Sequence, residues 1–467
     1  MPVRSRLPAL LPRSGHQAPT AILTPAARLS ARSFSFRPLP FSRRFTAPSQ
    51  RRAVRSFSSG SGVQVTPTDR SVKIASSEAT KRAELPNFWL RDNCRCSSCV
   101  NQDTSQRNFD TFEIPADVRA LEVKADDKGL NVVWSGDNHK SHYPWDFITF
   151  YQNNNHRSPE AVDFHFWGSN VADRPPTVHF DAVMNTSSDE GIAQLTDLVR
   201  RYGFAFVEGT PFADPADTQR LLERIAFIRV THYGGFYDFV PDLAMADTAY
   251  TNLPLPAHTD TTYFTDPAGL QAFHLLSHHG PEPAAGASLG GSSLLVDGFH
   301  AARLLREEHP EDFDVLTRVR LPWHASGNQG ITLSPDRRYP VIEVLDEQDR
   351  ETTGASPQNR IHRIRWNNDD RGIVPFGGPD ADGIDPGRWY DAARTWQAIL
   401  KRADVEYWTQ LQPGTPLIFD NWRVMHGRSA FVGVRRMCGG YTARDDFISR
   451  WRNTNYPRDE VLKQVVG

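Results

Sequence analysis

Apolar and polar positions alternate at Val72–Ile74 and again at Leu130–Trp134, the period of half-buried strands in which side chains two residues apart share a face. The period changes after Pro175-Pro176. Ile192, Leu195, Leu198 and Val199 recur on one helical face and predict a helix over Asp189–Tyr202, which Gly203 is placed to end. Phe204–Val207 follows as a buried strand, and Leu221, Leu222, Ile225 and Ala226 predict a second amphipathic helix over Asp217–Ile228. From Leu270 onward the pattern breaks into short strand-like runs, Leu270–Leu276, Ser292–Asp297, Val341–Val344, Leu417–Asp420 and Arg436–Thr442, separated by turn residues. Ala301–His309 and Trp389–Thr409 read as helices packed on these strands, and Glu347–Pro357 as a surface loop. The pattern describes a mainly β chain with flanking helices: a jelly roll or related double sheet over residues 177–467, behind a small β domain over residues 63–167.

The first 68 residues stand outside this pattern, with eleven arginines, no lysine and no acidic residue before Asp69. Such a composition belongs to organelle transit peptides, so residues 1–60 are expected to be a targeting segment and not part of the fold. At 467 residues and 39% hydrophobic content the chain can bury a sizeable core in two or three domains. Its net charge of -2 gives no reason to expect nucleic acid or an anionic membrane as partner. No apolar run approaches the roughly 18 residues of a membrane span.

Three of the four cysteines fall within Cys94–Cys99, which is no disulfide framework. Cys94, Cys96 and Cys99 at C-x-C-x-x-C spacing can converge on one tetrahedral ion, with His139 as the chosen fourth ligand and His142 next in line. A closed Cys3His set leaves no room for substrate, so the expected role is a structural zinc that holds the first domain together. A second constellation lies in Ala257–Phe264, where His258 and Asp260 sit two residues apart. On an extended segment both reach the same side, and His426 completes a two-histidine, one-carboxylate face that leaves positions of Fe(II) open. Gly433-Val434-Arg435-Arg436 adds an arginine fork suited to a carboxylate, and on a strand only one of its two arginines faces inward. Together these residues describe an iron- and 2-oxoglutarate-dependent oxygenase; a metal-dependent hydrolase would need a general base that is not evident here.

The stretches Trp89–Cys94, His258–Asp260, Leu294–Phe299 and Asn421–Arg428, in this order, resemble the carnitine-biosynthesis dioxygenases, the family of gamma-butyrobetaine and trimethyllysine dioxygenases. The resemblance runs from about Val63 to the C-terminus, and Asp247–Thr251, His258–Phe264 and Gly439–Asp446 are more similar to its trimethyllysine branch. It implies a double-stranded β-helix catalytic domain with a zinc-bearing N-terminal domain. It places iron on His258, Asp260 and His426, and zinc on Cys94, Cys96, Cys99 and His139. Arg435 falls where the family binds the far carboxylate of 2-oxoglutarate, and Ser293 where relatives often have a hydroxyl that helps with the same carboxylate. Tyr233, Tyr237 and Tyr250 fall where it cages a trimethylammonium group, with Asp247 adding charge. The implied reaction is hydroxylation of N6,N6,N6-trimethyl-L-lysine at C3 by O2, the first step of carnitine biosynthesis, with gamma-butyrobetaine hydroxylation as the alternative. Ascorbate as reductant, a homodimer and the mitochondrial matrix are further implications of the same resemblance.

Overall fold

A computed structural model describes residues 63–76, 82–152, 163–240, 251–281, 288–327, 329–346, 360–463 and 465. The expected targeting segment, the Glu347–Pro357 loop, Asp247 and Tyr250 lie outside the described residues.

The N-terminal part is built from two antiparallel three-stranded sheets. One is β1 (Val63–Pro67), β2 (Ser71–Ser76) and β3 (Arg82–Pro86); the other is β4 (Ala120–Ala125), β5 (Gly129–Trp134) and β6 (Lys140–Pro144). Their alternating faces meet in one core of Val72, Ile74, Leu85, Leu130, Val132, Trp134 and Tyr143. The short helix Asn87–Asp92 leads out of β3 straight into Cys94, and Tyr143 donates a hydrogen bond to the carbonyl of Leu90, tying that helix to β6.

The larger part is a double sheet. A six-stranded sheet runs β7 (Thr177–His179), β8 (Phe204–Glu208), β16 (Leu417–Asp420), β11 (Leu270–His279), β18 (Val434–Thr442) and β9 (Tyr237–Phe239). A four-stranded sheet runs β10 (Leu255–His258), β17 (Val424–Arg428), β12 (Ser293–Asp297) and β15 (Tyr407–Thr409), and a separate pair joins β13 (Ile342–Val344) to β14 (Ile361–Ile364). Phe204, Phe206, Leu275, Leu417, Phe419 and Met437 of the large sheet pack against Leu295, Tyr407 and Val424 of the small one. This is the sandwich expected of a jelly roll, with crossovers that bring strands distant in sequence side by side.

The predicted helices form with adjusted ends. The first spans Glu190–Tyr202 and stops at Gly203, which adopts φ +83°, the left-handed conformation that costs glycine least. The second covers Ala216–Ile225, and Ile228 instead forms a bridge to Thr442. The third starts at Gly298, before the apolar pattern begins, because the Asp297 side chain caps the amides of Phe299 and His300. The reading of Trp389–Thr409 as one helix is corrected. The helix is Pro386–Leu400, whose buried stripe Trp389, Ala392, Trp396, Ile399 and Leu400 ends there, and Tyr407–Thr409 is recruited as β15 by pairing with β12. Among the described residues no helix is long and apolar enough to cross a membrane.

Candidate active site

Strand pairing does what sequence distance hides: His258 at the end of β10 and His426 in β17 are direct cross-strand partners, with ring centroids 4.3 Å apart. The extended segment predicted to carry both His258 and Asp260 stops at His258, and Asp260 is held by different means. Asn421, 1% exposed, accepts from the Asp260 amide at 2.8 Å and donates to the carbonyls of Asp260 at 2.9 Å and Ala268 at 3.1 Å. The next residue, Thr261, takes φ +57°, a conformation costly for a β-branched side chain, and its hydroxyl accepts from the Ala268 amide at 2.8 Å. The turn that follows is clamped by buried Arg365, which donates to the carbonyls of Thr262 and Phe264. The backbone that carries the Asp260 carboxylate is therefore held by Asn421, Thr261 and Arg365.

His258 Nε2 lies 3.3 Å from Asp260 Oδ1, and His426 Nε2 lies 3.8 Å from Asp260 Oδ2. His258 Nδ1 is 2.8 Å from the Pro256 carbonyl, which turns Nε2 toward the cluster. The His426 ring is held by packing between Phe273 at 5.2 Å and Phe419 at 5.0 Å. Asp260 Oδ2 accepts from Gln271 at 2.7 Å and from the Tyr441 hydroxyl at 2.9 Å; these two are cross-strand partners on β11 and β18. Burial acts to raise the Asp260 carboxyl, but the imidazoles of His426 and His258 and the Tyr441 hydroxyl outweigh it and hold it below the usual carboxylate range. Burial and then repulsion from His258 push His426 down to about 3, so its imidazole is neutral and free to donate a lone pair. Octahedral ligands on bonds of about 2.1 Å stand about 3.0 Å apart at right angles, so the three donors fit one ion with an open face.

One cavity receives this cluster together with Tyr233, Tyr237, Ser293, Arg428, Arg435 and Tyr441. Arg435 and Arg436 part company as the period of a strand demands. Arg435 is 4% exposed and turned inward over the Phe431 ring at 5.6 Å, while Arg436 faces out and pairs with Asp238. Arg435 Nε makes no hydrogen bond among the described residues, and burial followed by the charge of Arg428 lowers its guanidinium to about 10. A buried cation in this state is stabilised by an anion. Tyr237 donates to the Ala272 carbonyl at 2.7 Å, and the Tyr233 and Tyr263 hydroxyls lie 3.4 Å apart. Gly439 lies directly under Tyr237; a Cβ there would overlap the Ala272 carbonyl and crowd the Tyr237 hydroxyl.

The cysteine cluster forms a second, closed site. His139 Nε2 lies 3.3, 3.6 and 3.4 Å from the sulfurs of Cys94, Cys96 and Cys99. A tetrahedral zinc with bonds of about 2.3 Å to sulfur and about 2.0 Å to nitrogen spaces such atoms about 3.5 Å apart, so the four donors fit that ion. His139 reaches the cluster from the turn after β5, where Gly136 and Asn138 both take positive φ and the His139 amide donates to Asp137 Oδ1 at 2.9 Å. His142 lies on β6 and hydrogen-bonds Asn131 instead. Burial and the neighbouring Cys94 push the Cys99 thiol up to about 12, against the pull of the Arg91 guanidinium.

Asn421, Gln271, Tyr441 and Asp370 were not assigned roles from the sequence. Gln271 carried a signal, a polar residue inside the apolar run Leu270–Leu276 that ends up 1% exposed.

The profile described as taurine catabolism dioxygenase TauD, TfdA family matches residues 164–441, and that of the gamma-butyrobetaine hydroxylase-like N-terminal domain matches residues 63–149. The chain therefore belongs to the TauD, TfdA family of dioxygenases, whose chemistry uses Fe(II) and 2-oxoglutarate. A trimethyllysine dioxygenase of Neurospora crassa is 58% identical over 412 residues, covering 83% of this chain and 84% of that protein. One from Meyerozyma guilliermondii is 37% identical, covering 82% and 93%, and the Homo sapiens protein called trimethyllysine dioxygenase, mitochondrial is 34% identical, covering 78% and 81%. Within that family the chain belongs with the trimethyllysine dioxygenases.

Proposed function

We propose that this protein hydroxylates N6,N6,N6-trimethyl-L-lysine at C3, the first step of carnitine biosynthesis. The observation that carries the reading is convergence: three metal-type donors, a buried arginine whose Nε makes no hydrogen bond among the described residues and two tyrosines open onto the same cavity. His258, Asp260 and His426 would hold Fe(II), which when bound couples decarboxylation of 2-oxoglutarate to succinate and CO2 with transfer of one oxygen atom of O2 to the substrate. Arg435, with Ser293 lining the same cavity, would take the far carboxylate of 2-oxoglutarate. Tyr233 and Tyr237 would offer ring faces to the trimethylammonium group, which has no N–H and so gains more from a π face than from a hydrogen-bond acceptor. Gln271 and Tyr441 orient the carboxylate of Asp260, and the walls of the cavity select the C–H bond by fixing where the chain of the substrate can lie. Cys94, Cys96, Cys99 and His139 would hold a structural zinc.

The identity to the named relatives favours trimethyllysine over gamma-butyrobetaine. The arginine-rich, acid-free leader and the mitochondrial relatives support a transit peptide at residues 1–60 and residence in the mitochondrial matrix. A homodimer and ascorbate as a reductant that keeps iron ferrous belong to the same reading. Mass spectrometry after incubation with Fe(II), 2-oxoglutarate and either betaine tests it. Gain of one oxygen at C3 of trimethyllysine is expected; oxidation of gamma-butyrobetaine alone would refute the assignment.

A further inference from the structure

Trimethyllysine carries two cations of different chemistry. The trimethylammonium group is satisfied by aromatic faces, whereas the α-ammonium group keeps three N–H donors that must find acceptors once water is stripped away. Its place is also constrained. The α-carbon is bonded directly to C3, so an enzyme that oxidises C3 must seat the α-ammonium beside the metal donors, several bonds from the aromatic end.

Among the described residues the carboxylates that line the cavity are Asp260 and Asp370. Asp260 is engaged by Gln271, Tyr441 and the two histidines. Asp370 lies in the turn after β14, in which Asn367 and Asp370 line the cavity while Asn368 and Asp369 between them are exposed. Its Oδ2 accepts a hydrogen bond of 2.6 Å from the hydroxyl of Thr262, two residues beyond Asp260 and 1% exposed. Its own carbonyl accepts from the His324 amide at 2.8 Å, so both ends of the residue are tied down. Asp370 is thus anchored to the loop that carries Asp260, and the arginines of the cavity, Arg428 and Arg435, come from β17 and β18.

We propose that Asp370 is the counter-ion of the substrate's α-ammonium group and selects an α-amino acid over a betaine that lacks the amine. The proposal rests on the trimethyllysine reading and deepens it: it names the residue by which the same cavity distinguishes the two classes of betaine.

The test uses Asp370→Asn, which keeps an acceptor for the Thr262 hydroxyl and removes only the charge, with Asp369→Asn as a neighbouring exposed control. Dissociation constants are measured without oxygen, on protein loaded with Fe(II) and 2-oxoglutarate, for trimethyllysine and for 6-(trimethylammonio)hexanoate, the same molecule without its amine; kcat/KM for trimethyllysine is measured in air. Wild type and Asp369→Asn are expected to bind trimethyllysine about 10- to 100-fold more tightly than the amine-free compound. In Asp370→Asn that preference should collapse to within about threefold, through weaker trimethyllysine binding alone, with kcat/KM falling in step. An undiminished preference in Asp370→Asn, or equal weakening of both compounds, overturns the proposal, the latter because it would place the carboxylate near the trimethylammonium end. Wild type that neither binds nor oxidises trimethyllysine would overturn the underlying assignment of substrate, and this proposal with it.

Discussion

Asn421 holds the backbone of the residue that carries the metal-type carboxylate, bonding both the amide and the carbonyl of Asp260. Asn421→Ala would leave three buried groups without partners: the amide and carbonyl of Asp260 and the carbonyl of Ala268, itself 0% exposed. An unsatisfied buried group costs about 1–3 kcal/mol, and with water entering the small void the sum should be about 3 kcal/mol. In a domain of this size that corresponds to a Tm lower by about 5 °C. The larger consequence concerns the metal. Thr261 holds φ +57° only because the residues on either side of it are pinned, so the released turn should relax and carry Asp260 away from His258. Residues that orient metal ligands typically govern 10- to 100-fold in affinity, and a loss in that range is expected for Fe(II). Anaerobic Fe(II) titration alongside thermal unfolding measures both effects. A folded variant whose Fe(II) dissociation constant stays within about threefold of wild type would refute the view that Asn421 preorganises the site.

Arg435→Ala should raise the KM for 2-oxoglutarate by about 100-fold, whereas Arg436→Ala breaks only an exposed pair with Asp238 and should change it less than about threefold; similar values for the two variants would remove the distinction. Cys99→Ser should lose zinc by metal analysis and lower the unfolding temperature of the N-terminal domain while Fe(II) binding persists; full zinc retention would exclude Cys99 as a ligand. His274, 0% exposed, is held by Thr218 and by the Gly414 amide, and burial lowers its imidazole to about 4. The unfolded chain takes up that proton near pH 6.5 and the folded one resists until about pH 4, so stability should fall by about 3 kcal/mol as the pH drops through that window. A His274→Gln variant should show a flatter dependence of Tm on pH there, and an unchanged slope would assign the acid sensitivity to other groups.

Much of the site could be read from the chain because metal chemistry restricts residue types. His-x-Asp alone was a weak signal, strengthened by the distant histidine and the arginine pair that follows it, whereas three cysteines within six positions stood out; the structure brings both donor sets together. The parity of a strand was equally legible: of two adjacent arginines only one could face inward, and Arg435 does. Helix boundaries were less so. The apolar spacing of Trp389–Leu400 contains no sign that Tyr407–Thr409 leaves the helix to pair with β12, since a strand edge is completed by a partner more than a hundred residues away.

What the amino-acid sequence determined by itself was chemistry and period: which groups could bind a cation or a carboxylate, and which faces of each element turn inward. Tertiary structure alone decided adjacency. It set His258 opposite His426, placed Gln271 beside Tyr441 under Asp260, and brought Asn421 and Asp370 against a loop more than a hundred residues earlier. The physical reason is that a polar side chain earns its position from the partners that desolvation forces on it, and those partners are chosen by the crossing of strands, not by proximity along the chain.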